Sequence, residues 1–174
     1  MKTHTNGLIG PRTGDLSRSV CKPQLCGMDI EVKPIGGVQF EVTARGHRIT
    51  SDQPAENGGE DTGMTPPELM LASLGTCAAY YATEYLRTRM LDTCSLRIQV
   101  GAEKALKPAR LSDFRIVIDA PAVADNEQHR EGILRAVQNC LIHNTLLHSP
   151  HVETVLTQDH TVGSAEMLPQ RPAS

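Results

Sequence analysis

The chain has 174 residues, of which 39% are hydrophobic and 21% charged, the proportions of a single globular domain rather than a disordered segment. A formal net charge of −3, the lack of any basic block, and only 2 Phe, 3 Tyr and no Trp argue against a nucleic-acid partner, which needs a basic footprint or stacking platforms. No apolar run reaches the ~18–20 residues that cross a bilayer, and the polar start of the chain has no apolar export stretch, so no membrane partner and a cytoplasmic location are expected.

Residues 1–27 contain glycines and prolines without periodicity and read as a flexible arm. A domain over 28–160 and a flexible tail over 161–174 follow. From Met28 onward, Ile30 and Val32, then Val38, Phe40 and Val42, then Ile49 recur at period two, interrupted at Gly36-Gly37 and Gly46. This predicts a β-meander with tight turns. An acidic loop with Pro54, Gly58 and Gly59 runs from Asp52 to Gly63. Thr65-Pro66-Pro67-Glu68 predicts a helix start, with Thr65 as cap, Pro66 at the first position and Glu68 closing a capping box.

That helix is expected to reach about Arg89. Its first half is apolar or small on every face, which calls for cover by a sheet or by a second subunit. Alternation at Leu96, Ile98 and Val100, and again at Phe114, Ile116 and Ile118, predicts two more strands, with Pro121 closing the second. A cap between Asp125 and Gln128 opens a helix with Ile133, Leu134, Val137 and Leu141 on one face. His151 to Leu156 reads as a last short strand. The order β-β-β-α-β-β-α-β is α+β, with a mostly antiparallel sheet around a buried central helix that bears Cys77.

The 5 cysteines, Cys21, Cys26, Cys77, Cys94 and Cys140, are odd in number and scattered. In a reducing compartment they read as buried apolar residues, metal ligands or reactive thiols rather than as a disulfide framework. Cys77 falls within the apolar helix, and Cys140 ends or interrupts the second one. Each reads alone as a small core residue, but a facing pair with Cα atoms within roughly 7 Å can cycle between dithiol and disulfide. His143, His148 and His151 lie near Cys140 but lack the second, distant pair of a zinc site, so no metal is expected. His143 reads as a satisfied polar contact. Cys21 and Cys26 read as exposed thiols, and Cys94 has no evident partner.

Taken together, Asp52-x-Pro54, Gly58-Gly59, Gly63-x-Thr65-Pro66-Pro67-Glu68-Leu69-Met70-Leu71-Ala72-x-Leu74-Gly75-x-Cys77 and Cys140-x-x-His143-Asn144-Thr145-Leu146 resemble the OsmC/Ohr superfamily. These are osmotically induced and organic-hydroperoxide-resistance proteins, and the resemblance covers about Met28 to Leu156. It implies an intertwined α+β homodimer in which both subunits bury the cysteine helix. It also implies a cofactor-free thiol peroxidase of oxidative-stress defence. Cys77 matches the peroxidatic cysteine, which takes an oxygen from an organic hydroperoxide. Cys140 matches the resolving cysteine, and the disulfide they form is reduced by an external dithiol.

A thiol of ordinary pKa near 8.5 is only ~3% ionised at pH 7, and the helix macrodipole fades before it reaches Cys77. A cation is therefore required. The resemblance implies an arginine from the N-terminal strands, for which Arg45 and Arg48 are the candidates, although both also read as solvated turn charges. Peroxidatic members pair that arginine with a glutamate ten residues before the cysteine, where this chain has Pro67. Glu68 stands about 13 Å from Cys77 on the opposite helix face; it is a third thiolate-activating candidate, able to reach Cys77 only through a kink or from the partner subunit, and its capping role suffices to explain it. The Pro-x-Glu-Leu pattern looks more like the broader OsmC-like branch. Two readings from other classes stand beside the peroxidase. One is a non-catalytic protein binding a small apolar or electrophilic ligand in the dimer cleft, and the other is a redox sensor signalling to a partner protein.

Overall fold

The computed structural model describes residues 28–156; the expected arm, with Cys21 and Cys26, and the expected tail lie outside them. Strands β1 (Glu31–Gly36), β2 (Gln39–Ala44) and β3 (His47–Ser51) form an antiparallel meander in chain order. The register sets Val32 opposite Val42, and Val42 opposite Ile49, so the period-two residues gather on one face. That face stays open in the single chain, with Val32 52% and Ile49 49% exposed.

The loop after β3 is built around Asp52, whose side chain is fully buried. Its carboxylate accepts hydrogen bonds from the backbone N–H groups of Gln53 at 2.7 Å, Thr62 at 3.0 Å and Glu60 at 3.1 Å, and from the Thr62 hydroxyl at 2.9 Å. The Gln39 amide donates a further bond at 3.2 Å. A Cβ on Gly59 would strike the Gln53 carbonyl and the Asp52 carboxylate, and one on Gly63 would strike the Thr50 carbonyl. The glycine pattern of this loop is thus a packing requirement.

Helix α1 (Pro66–Arg87) opens on the expected capping box. The Thr65 backbone N–H and hydroxyl donate to the Glu68 carboxylate at 2.8 and 2.9 Å, and the Glu68 N–H donates to Thr65 Oγ1 at 3.4 Å. The helix stops at Arg87, short of the expected Arg89. Thr88 turns its hydroxyl back onto the Glu84 and Tyr85 carbonyls, and Met90 adopts positive φ, both of which end a helical path. Leu74, Ala78, Ala82 and Leu86 are buried, four apart along one face. On other faces Met70 is 40% and Tyr80 63% exposed, so one chain alone does not bury this helix all round.

Strands β4 (Arg97–Leu106) and β5 (Ala109–Asp119) make a separate antiparallel pair, with an irregularity between Gly101 and Glu103. They run further toward their turn than the apolar alternation suggests, because backbone pairing continues through polar residues. Helix α2 (Glu127–Val137) is capped by the Asn126 side chain, which accepts from the His129 N–H at 3.0 Å. The expected single helix through Leu141 is two. Cys140, at ψ 125°, breaks the path and opens α3 (Leu141–Leu147). His151 to Leu156 forms no strand. Val152, Val155 and Leu156 are 80%, 71% and 90% exposed, and a strand needs a neighbouring edge to satisfy its backbone.

The core joins Ala78, Ala82 and Leu86 of α1 to Val123, Ile133 and Val137, with Ile98, Ile116 and Ile118 of β4 and β5 packed against them. Gly132 of α2 lies so close to the Tyr85 ring that a Cβ there would collide with it. Among the described residues no helix is long and apolar enough to cross a membrane.

Hydrogen bonds, first among them that from the Thr62 N–H, hold the Asp52 carboxyl below the usual carboxylate range against the opposing effect of burial. A carboxyl whose pKa is lowered by folding stabilises the fold above its unfolded pKa, and that contribution drains away as pH falls toward the folded value. Replacing Asp52→Asn is therefore expected to lower the thermal midpoint at neutral pH. The variant's midpoint should also fall less steeply between about pH 4 and pH 2, as followed by circular dichroism.

Candidate active site

Two helical segments bring the site together. Cys77 follows Leu74 on α1, next to the buried stripe, and is partly buried. Cys140 sits between α2 and α3, directly after the segment anchored by Val137, and is fully buried. Both are free thiols, and their side chains interact.

Their environments differ. Burial raises the Cys140 pKa first, and the hydrogen bond with Cys77 raises it further, while the backbone N–H groups of His143 and Ile142 work in the opposite direction. The His143 N–H donates to Cys140 Sγ at 3.4 Å, so Cys140 is also the cap of α3. Cys140 is a sealed thiol, held in place and favoured in its protonated form. Cys77 is the more accessible of the pair. Such a dithiol suits chemistry in which the accessible sulfur meets a reactant and the buried one follows.

His143 departs from expectation. Its Nδ1 is buried without a hydrogen-bond partner, and it is the only such side-chain nitrogen or oxygen among the described residues. An unpaired buried polar atom costs about 1–3 kcal/mol. His143 also lines a cavity of about 410 Å³ whose other walls are Leu74, Phe114, Ile116, Leu146 and Leu147. The spacing of Leu74 one turn before Cys77, and of His143 one turn after Cys140, was the signal for this arrangement. The packing of β5 against both was not visible in it.

The other candidates fall elsewhere. Glu68 is held by Thr65 at the start of α1, where the Thr65 N–H, chiefly, lowers its carboxyl pKa. Arg45 occupies the β2–β3 turn at positive φ, and Arg48 pairs with Glu41 across that hairpin at 3.4 Å. His148 Nδ1 lies 3.0 Å from the Asn144 carbonyl, and His151 is exposed. No group of three or more His, Cys, Asp or Glu side chains gathers as a metal site among the described residues. Cys94 is exposed in a turn where its N–H donates to Asp92 at 3.0 Å.

A family model described as OsmC-like protein matches residues 58–155, the stretch that holds α1, α2 and α3 with Cys77 and Cys140. The chain belongs to the OsmC-like family. Solved structures of similar architecture include an OsmC-like protein from Mycoplasma pneumoniae, 21% identical with a TM-score of 0.58, covering 71% of this chain and 89% of that one. A protein from Psychrobacter arcticus 273-4, named for osmotic stress induction and detoxification response, is 19% identical with a TM-score of 0.62, over 70% and 90% of the two chains. One from Vibrio cholerae, named for organic hydroperoxide resistance and crystallised with captopril in one of its active sites, is 18% identical with a TM-score of 0.51, over 74% and 90%. At these identities the likeness establishes the fold: this OsmC-like protein has the α+β architecture with antiparallel sheets that its sequence suggested. No curated protein matches it.

The contrast between the thiols has a measurable consequence. In the native protein at neutral pH, iodoacetamide should modify Cys94 readily and Cys140 on the order of tenfold or more slowly, a difference that denaturant removes. In Cys77→Ala, the Cys140 thiol should titrate lower than in the unaltered chain, because the neighbouring thiol that raises it is gone and burial alone remains to do so. Peptide mass spectrometry after timed alkylation reads both effects.

Proposed function

We propose that this OsmC-like protein is a thiol peroxidase that reduces organic hydroperoxides to alcohols in oxidative-stress defence, with Cys77 as peroxidatic and Cys140 as resolving cysteine. The observation that carries this reading is the side-chain interaction of two free thiols from separate helical segments. The Cys77 thiolate attacks the terminal peroxide oxygen. A sulfur–oxygen bond forms, the oxygen–oxygen bond breaks, and the departing alkoxide takes up a proton to become the alcohol. Cys140 then attacks the sulfenic sulfur of Cys77. The disulfide forms, the sulfur–oxygen bond breaks, and the Cys140 proton leaves with hydroxide as water. An external dithiol exchanges with the disulfide and restores both thiols. The sulfurs carry all the electrons, so the cycle needs no cofactor.

Two features support the rest of the reading. The exposed apolar face of the β1–β3 meander, and Met70 and Tyr80 on α1, fit a homodimer in which a second copy covers both. The hairpin arginines, Arg45 and Arg48, are the proposed source of the cation that Cys77 requires. Arg48 would exchange its exposed Glu41 partner, a pairing of small worth, for the thiolate.

The largely hydrocarbon cavity lined by Leu74, Phe114 and His143 also favours a second reading, a non-catalytic protein that binds a small apolar or electrophilic ligand. Turnover separates the two. With cumene hydroperoxide and dithiothreitol, Cys77→Ser is expected to fall to the uncatalysed background. Cys140→Ser should still form a sulfenic acid that dimedone traps, without the internal disulfide. Turnover retained in Cys77→Ser contradicts the peroxidase, and no turnover in the unaltered chain favours the binder.

A further inference from the structure

We propose that the cavity between the end of α1 and one face of α2 binds a small oxyanion, a carboxylate or a phosphate ester, gripped by Arg89 and Arg135. The inference is independent of the peroxidase reading above, since neither thiol takes part in it.

The cavity has a volume of about 340 Å³, toward the lower end of the ~300–1,000 Å³ typical of small-molecule sites. Tyr85 and Arg89 line it from α1 and the turn that ends it. Gln128, His129 and Arg135 line it from one face of α2, and Asn139 from just beyond that helix. Gly132 stands between His129 and Arg135, and its missing Cβ lets the Tyr85 ring lie against α2. No carboxylate lines the cavity among the described residues. Two guanidinium groups, two amides, an imidazole and a phenol therefore border one space without an acid among them.

Arg89 carries the argument. Its guanidinium lies over the Tyr85 ring, 3.7 Å from the centroid. Its Nη1 donates to the Tyr85 carbonyl and to Thr88 Oγ1, each at 3.1 Å. Capping the last carbonyls of α1 accounts for Nη1 and leaves Nε and Nη2 unbonded among the described residues. A guanidinium fixed by stacking, with donors to spare, is pre-organised to take an oxyanion by two parallel hydrogen bonds. The arginines within α1 and α2 are spent otherwise: Arg87 pairs with Glu84 at 2.7 Å, Arg130 with Glu127 at 3.0 Å and Arg135 with Glu131 at 3.2 Å. Arg89 has no carboxylate partner among the described residues. The Arg135–Glu131 pair is exposed at both ends, so it is of small worth and yields to a ligand. The Tyr85 hydroxyl lies 3.1 Å from His129 Nδ1. If the hydroxyl donates, His129 Nε2 carries a hydrogen to give, and if Nδ1 donates, the phenol has one. Either tautomer leaves this pair a spare donor.

Amide NMR of the isotope-labelled full chain tests this by titration with inorganic phosphate or with succinate, at an ionic strength held constant with sodium chloride. Saturable shifts are expected at the Arg89 side-chain Nε–H and at the backbone N–H groups of Gly132 and Asn139. The anion that saturates at the lower concentration tells a phosphate site from a carboxylate site. Arg89→Gln should weaken binding about tenfold or more. Arg89→Lys, which keeps the charge but loses the fork, should also weaken it several-fold. Arg135→Gln should weaken it as well, a second measurement that does not disturb the end of α1. Arg87→Gln, outside the cavity, should leave binding unchanged. No saturable shift with either anion, full affinity in Arg89→Lys, or an equal loss in Arg87→Gln overturns the proposal, and none of these results bears on the cysteine chemistry.

Discussion

The stripe of Leu74, Ala78, Ala82 and Leu86 along α1 is the constraint from which the rest follows. Ala78, Ala82 and Leu86 of the stripe share one core cluster with Ile133 and Val137 of α2. Each large side chain buried there contributes about 1.5–3 kcal/mol. A hydrogen bond between two thiols is worth no more than about 1 kcal/mol. The core therefore places the cysteines, and the effect of one thiol on the other is a consequence of the packing. Cys77 lies next to the stripe and moves with α1, and Cys140 follows the anchored Val137. Any change that loosens this helix pair separates the sulfurs.

Placement by the core also makes the thiols unequal. Cys140 is sealed, caps α3 and is favoured as the protonated form by burial and by its neighbour. Cys77 retains access. In the proposed cycle this difference orders the chemistry: the accessible sulfur meets the oxidant, and the sealed one is shielded from it until a sulfenic acid stands beside it. The same packing leaves one polar atom unpaired, Nδ1 of His143, beside a cavity otherwise walled by hydrocarbon.

The N-terminal sheet has a different character. The β1–β3 meander pairs its backbone completely enough to hold register, yet its apolar row of Val32, Val42 and Ile49 has little to pack against within one chain. Asp52 and its surrounding N–H groups anchor the loop that leads from this sheet into α1. Sheet and helix are thus joined by a polar clamp. In the proposed homodimer a second copy supplies the missing hydrophobic cover.

What was legible in the sequence was local. The capping box of Thr65 and Glu68 depends on groups three residues apart, the meander on alternation along single strands, and the α+β order on those elements taken in turn. Each is fixed by short-range sterics and hydrogen bonding, so the residues nearby suffice to reveal it. The reading failed wherever the outcome depended on what lay across the fold. His151 to Leu156 alternates like a strand and forms none, the helix expected to run through Leu141 is broken at Cys140, and the full burial of Asp52 within its loop was not foreseen. The influence of Cys77 on the Cys140 thiol, the wall that β5 adds to the cavity, and the unpaired nitrogen of His143 were decided by tertiary structure alone. They join segments far apart in the chain, and burial energy, which has no direction along the sequence, sets which of those segments meet.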